Sequence, residues 1–171
     1  MIKKYNIVFY PTTKVADLTA VAQQFKSFSD KYLLKEDAFP HVTLYQFEAE
    51  ESAISGIWNK AQENFSQKSI HLKLATLNSA YINNRCWLSL IPDNIQRLHE
   101  LHAEVAVLLN SPVRTGFDPH LTLINSLQKD YEPAMNKFSE TFASMEDEFT
   151  LALGESDQIG QLRRVIYNSV V

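Results

Sequence analysis

The sequence predicts an α+β fold built as a bilobal duplication, with two mainly antiparallel sheets facing a central cleft and helices packed outside. Three observations predict it. Apolar residues switch between helical and strand periods along the whole 171-residue chain. The order of those segments in the first half recurs in the second. One short pattern is also written twice, as Pro40-His41-Val42-Thr43-Leu44 and Pro119-His120-Leu121-Thr122-Leu123, with the histidines 79 positions apart.

Tyr5–Tyr10 is a short apolar run ended by Pro11, which reads as a strand. Val15, Leu18, Val21, Ala22, Phe25 and Phe28 recur at helical spacing, with Thr12 or Thr13 placed to cap that helix. Residues 29–38 are charged and irregular, and Phe39–Phe47 is the first motif strand. Ala53, Ile54, Ile57, Trp58, Ala61 and Phe65 make a second amphipathic helix. Ile70, Leu72 and Leu74 alternate with His71 and Lys73 as in a half-buried strand, and Asn78–Arg85 reads as a polar connection.

The second half repeats this order. Cys86–Ile91 is a strand ended by Pro92, and Asp93 with Gln96 has the form of a capping box. Ile95, Leu98, Leu101, Val105, Leu108 and Leu109 form a helix stripe that Asn110 and Pro112 stop. Phe117–Ser126 is the second motif strand. Pro133, at a helix start, leads Met135, Phe138, Phe142 and Met145. Phe149–Leu153 and Arg164–Val170 close the chain as strands, with Gly154 and Gly160 punctuating the loop between them. Pro11 and Pro92 lie 81 positions apart, and Trp58 and Phe138 lie 80 apart, close to the histidine spacing. The chain reads as one domain over residues 1–171, with pseudo-repeat halves near 1–80 and 81–171.

Bulk properties bound the function. Hydrophobic residues at 45% and charged residues at 21% are ordinary globular usage. A formal charge of −4 argues against a long phosphate-tracking footprint, yet permits a small anion held by a few local groups. The single cysteine, Cys86, rules out an intrachain disulfide framework. There is no signal-peptide core after the N-terminus and no apolar run of spanning length, so a cytoplasmic monomer without membrane attachment is expected.

Strand alternation sorts the motif residues. His41, Thr43, Tyr45 and Phe47 share one face of their strand, opposite Val42 and Leu44. His120, Thr122 and Ile124 share a face opposite Leu121 and Leu123. With the leucines in the core, both histidines and both threonines turn to the cleft. Imidazole titrates near neutral pH, so two of them supply a base and an acid, and two hydroxyls can hold phosphate oxygens. A working order makes His120 the base and His41 the acid. Tyr45 and Tyr10 are weaker candidates for substrate contact, Tyr45 reading equally well as a packed cross-strand aromatic. Arg85, Arg114, Arg163 and Arg164 are candidate phosphate contacts, Arg85 and Arg164 foremost. His99 and His102 miss the zinc-protease spacing because Ala103 stands where the second histidine belongs, and His102 reads as a satisfied, partly buried residue. No Cys/His cluster has zinc spacing, and no phosphate-loop glycine pattern is present.

The doubled His-x-Thr-Leu, its spacing and the helix–strand order over nearly the whole chain resemble the 2H phosphoesterase superfamily, which includes 2′,3′-cyclic phosphodiesterases and 2′–5′ RNA ligase-like proteins. The resemblance implies a bilobal fold and a catalytic site at His41 and His120, with Thr43 and Thr122 binding phosphate and no metal or cofactor. It implies a substrate that is a nucleotide or RNA end bearing a 2′,3′-cyclic or 2′–5′ phosphodiester. Two alternatives stay open: a 2H nuclease acting on 2′–5′ oligoadenylates, cyclic oligonucleotides or RNA 3′ ends, and a non-catalytic nucleotide- or RNA-binding module.

Overall fold

The computed structural model describes residues 1–30, 32–34, 38–127 and 132–169. In chain order the strands are β1 (Ile2–Pro11), β2 (Tyr32–Leu33), β3 (Val42–Glu50), β4 (Ser69–Ile82), β5 (Arg85–Pro92), β6 (Leu121–Ser126), β7 (Met145–Ser156) and β8 (Leu162–Asn168). The helices are α1 (Val15–Gln23), α2 (Ile54–Asn64), α3 (Ile95–Leu108) and α4 (Glu132–Thr141). The α+β class is as the sequence predicts. The expected two sheets are instead joined into one antiparallel sheet with strand order β2-β6-β5-β4-β7-β1-β3, and β8 adds to β7.

The join is the pairing of β4 with β7, Ser69 opposite Thr150 through Leu74 opposite Met145. Both strands are long enough to serve two neighbours in succession. β4 pairs β7 with its first residues and β5 with the rest. One edge of β7 takes β4 over Met145–Thr150 and β8 over Ala152–Ser156, while β1 lies on the other edge. From β6 to β3 the path is unchanged when β1 is exchanged with β5, β3 with β6 and β4 with β7. The helices obey the same exchange, since α3 packs on β3 and α1 on β6. Each half therefore lends a strand to the other, β4 to β5 and β7 to β1, and the spatial wings do not coincide with residues 1–80 and 81–171.

Local chemistry explains several departures from the sequence reading. Asn78–Arg85 is not a polar connection: β4 runs to Ile82 and turns into β5 through Asn83 and Asn84, whose φ values are 52° and 60°. Two successive left-handed residues make a type I′ turn, the form whose twist suits a two-residue hairpin, and asparagine tolerates it. The capping box at Asp93 does not form. Asp93 accepts the Lys73 amide at 2.9 Å, and left-handed Asn94 precedes α3 without a side-chain cap. Met145 opens β7 and is not part of α4. Residues 31 and 35–37, within the segment read as irregular, and Val170, read as the end of the last strand, lie outside the described residues.

Apolar residues from both wings and the helices form one main core, including Phe9, Leu18, Leu44, Leu88, Leu98, Leu123 and Phe149. Complete burial of each such chain contributes about 1.5–3 kcal/mol. A smaller cluster of Val8, Ala152 and Leu162, with Tyr10, Phe39 and Val165 against it, fills the other face of β1 and β7. Among the described residues no helix is long and apolar enough to cross a membrane.

The start of α1 is held from across the sheet. Neither threonine caps it with its own hydroxyl. Buried Asp147 on β7 instead accepts the Thr13 and Lys14 amides, each at 2.9 Å, and the Thr12 and Thr13 hydroxyls at 3.2 and 2.8 Å. Burial alone would raise the Asp147 pKa, but these bonds from Thr13, Lys14 and Thr12 outweigh it and hold the carboxyl below its ordinary 3.8. A carboxylate with a depressed folded pKa contributes stability above its unfolded value and loses it as pH falls through the folded one. Asp147→Ala is expected to lower unfolding stability by about 2 kcal/mol at neutral pH, from urea titrations, with the deficit shrinking as pH falls below the ordinary carboxylate value of 3.8.

Candidate active site

His41 and His120 each stand one residue before a motif strand, and each is oriented the same way. The Nδ1–H of His41 donates to the Phe39 carbonyl at 2.8 Å, and that of His120 to the Asp118 carbonyl at 2.7 Å. Because a carbonyl only accepts, both rings carry the proton on Nδ1 and leave Nε2 free. The intervening Pro40 and Pro119 explain why this geometry occurs twice. Proline disfavours helical backbone in the residue before it, which keeps Phe39 and Asp118 extended.

Each motif strand carries a bulge at its leucine. Val8 faces Thr43 and Ile7 faces Tyr45, leaving Leu44 as the extra residue, and Ser89 faces Thr122 while Leu88 faces Ile124, leaving Leu123. A bulge breaks strict alternation and re-aims neighbouring side chains. It explains why Leu44, Tyr45 and Gln46 all border the cleft in succession, although the sequence reading divides them between two faces. The outer carbonyls of the two leucines are bonded differently. Leu123 accepts the Leu34 amide at 2.9 Å, as β2 covers that edge. Among the described residues no strand pairs with the edge beside Leu44, and His102 Nδ1 on α3 donates to the Leu44 carbonyl at 2.7 Å.

The two wings enclose a cleft of about 380 Å³ lined by His41, Thr43, His120 and Thr122 together. His41 and Thr122 are each only 5% exposed, while Thr43 and His120 are half-buried. Burial of His41 is the main cause of a pKa pushed down to about 4. The Phe39 carbonyl opposes that shift, His120 adds to it and Asp157 opposes it. His41 is thus a neutral imidazole at neutral pH, with its free nitrogen facing the cleft.

Of the remaining expected residues, only Tyr45 and Arg114 reach the cleft. The Tyr45 hydroxyl donates to the Pro112 carbonyl at 2.9 Å, and the Arg114 guanidinium lies 4.5 Å over its ring. Tyr10 packs edge-on against Phe39, Arg85 bonds Asp30 and Asn125, and Arg164 pairs with Glu155, so these three do not line the site. His102 is buried and satisfied. It stacks between Tyr45 at 5.3 Å and Phe117 at 4.1 Å, and its Nε2 accepts the Arg114 amide at 3.1 Å. Sequence reasoning passed over Ser89, Trp87 and Gln161 as site residues. Ser89 and Trp87 keep the period-two spacing of a cleft-facing strand, which is the signal that could have found them. Gln161 gives no such signal, because it sits beside a loop glycine. Among the described residues no cluster of three His, Cys, Asp or Glu side chains could hold a metal ion.

No family profile matches the sequence, and no curated protein matches it either. Solved structures do match in shape. A structure described as a phosphoesterase superposes with a TM-score of 0.66 at 14% identity, covering 99% of this chain and 98% of the other. E. coli LigT complexed with ATP gives 0.66 at 14% identity, and its complex with 3′-AMP gives 0.64 at 14%, each with 99% and 98% coverage. The chain has the fold of these proteins over its full length.

The depressed His41 pKa has a stability consequence. Its imidazole takes a proton near 6.5 in the unfolded chain and near 4 in the folded one, so between those values the unfolded state binds more protons. Stability is expected to fall as pH drops from 6.5 to 4, by on the order of 3 kcal/mol, and His41→Gln should flatten that dependence in urea titrations. In an NMR titration the His41 ring should keep its Nδ1–H form at neutral pH and titrate near 4.

Proposed function

We propose that this chain is a 2H phosphoesterase that hydrolyses a 2′,3′-cyclic or 2′–5′ phosphodiester of a nucleotide or RNA end through His41 and His120. The observation that carries the reading is the pair of imidazoles in one cleft, each held by Nδ1 through the carbonyl two residues back and each with Nε2 free. The shared fold with a phosphoesterase and with E. coli LigT supports it, and the ATP and 3′-AMP complexes of LigT support a nucleotide ligand.

In the proposed reaction neutral His41 removes a proton from water as the water oxygen bonds to phosphorus. His120, protonated, gives its proton to the ribose oxygen as the P–O bond to that oxygen breaks. Thr43 and Thr122 donate their hydroxyls to non-bridging oxygens, where charge builds in the transition state. Burial of His41 favours this order over the reverse one drawn from the sequence, because it disfavours the charged form a donor must begin in. The proximity of His120 acts in the same direction, since two cationic rings in one cleft repel. The proposed step needs no metal.

The test is turnover of nucleoside 2′,3′-cyclic phosphates and 2′–5′ dinucleotides in the presence of EDTA. His41→Ala and His120→Ala are each expected to lose at least ~10²–10⁴-fold in kcat/KM, and the acidic limb of the wild-type profile should follow the low His41 pKa. Near-wild-type turnover by either variant, or strict dependence on added metal, would sink the assignment.

A further inference from the structure

The two wings differ on the faces that flank the phosphate position. On the second wing the cleft-facing residues are Asn78, Ala80 and Ile82 of β4 with Trp87 and Ser89 of β5, every second residue of each strand. Their register places Asn78 beside Ser89 and Ala80 beside Trp87, while Ser89 lies opposite Thr122 on its other side. Trp87 therefore stands one row from the Thr122–Ser89 pair, roughly 7 Å along the strand. The indole is half-buried, no ring among the described residues stacks on it, and of its two cross-strand neighbours Ala80 offers only a methyl group while Asn125 is buried and bonded to Arg85. Asn78 and Asn83 bring side-chain amides to the cleft around it. The nearby cation, Arg85, is bonded to Asp30 and Asn125.

The same surface of the first wing is closed. Val8, opposite Thr43 as Ser89 is opposite Thr122, is fully buried under Leu162, Phe39 and Val165. Two residues back, Asn6 and its partner Gln46 both donate to the Gly160 carbonyl, at 2.8 and 3.0 Å, so the loop before β8 covers that position. Among the described residues, a substrate that extends beyond its phosphate meets an open sheet face on the second wing and a covered one on the first.

Resting on the proposed function, we infer that the β4–β5 face beside Thr122 is a nucleobase platform, with the base stacked on Trp87 and its edges within reach of the Asn78 and Asn83 amides. An uncovered indole flanked by small and amide side chains fits a flat, hydrogen-bonding ring, since stacking on an aromatic is a main source of affinity for an unpaired base. Arg85's commitment to Asp30 and Asn125 argues against a second phosphate there. The placement also orients the substrate, setting its nucleoside on the His120 side.

Trp87 can be read directly by fluorescence in a Trp58→Phe background, because Trp58 stacks on Tyr167 outside the cleft. Adenosine 3′-monophosphate is expected to quench Trp87 emission, and inorganic phosphate is not. Trp87→Leu should weaken inhibition of turnover by adenosine 3′-monophosphate by about 5–150-fold while leaving inhibition by inorganic phosphate unchanged. Trp87→Phe should stay within a few-fold of wild type. Equal nucleotide affinity in Trp87→Leu and wild type, with turnover intact in both, overturns the platform and leaves the proposed function standing. Failure of the wild-type protein to bind either the nucleotide or phosphate overturns both.

Discussion

The pairing of β4 with β7 is the constraint on which the site depends. It is the contact that makes one sheet out of two wings, and it fixes how far apart the two motif strands lie. β3 and β6 occupy equivalent places, each separated from the join by two strands. Neither histidine is near β4 or β7 in sequence, yet both owe their shared cleft to that ladder. A weakened ladder would separate two histidines whose own local geometry stayed intact.

Within each wing the motif works through backbone as much as through side chains. Proline disposes the preceding carbonyl to hold an imidazole, and the leucine bulge re-aims the side chains after it. These are constraints on five consecutive residues, which explains why the pattern is Pro-His-x-Thr-Leu and not merely His-x-Thr. The two copies then part company. β2 protects the outer edge of one, while the other relies on His102, whose second nitrogen also holds the loop carrying Arg114. A titratable ring thus does on one side what a strand does on the other.

Much of this was legible in the sequence because it is written in periodicity. The helix stripes, the two motif strands and the inward turn of His41, Thr43, His120 and Thr122 follow from alternation between apolar and polar positions. The features that were not legible are of a different kind. The single sheet depends on which strands pair at long range, and β4 looks the same in sequence whichever neighbour it takes. Asn83 and Asn84 hid a hairpin because polar residues read as a connection until their left-handed backbone is seen. Tyr10, Arg85 and Arg164 have suitable chemistry, but their partners Phe39, Asp30 and Glu155 lie far along the chain or on another strand. The depressed pKa of His41 arises from burial, which no local pattern encodes.

The exchange of strands between the halves has a meaning for how such a chain is put together. If residues up to β4 stood alone, β1 would be left without β7, and β4 would have neither β5 nor β7. A half-length chain of this design could complete its sheet only by trading that strand with a second copy of itself. In topological terms the present protein is a swapped dimer whose two subunits have been fused, with Asn83-Asn84 as the splice. The cleft then lies between the two fused units, and His41 and His120 stand at equivalent places, each one residue before its motif strand.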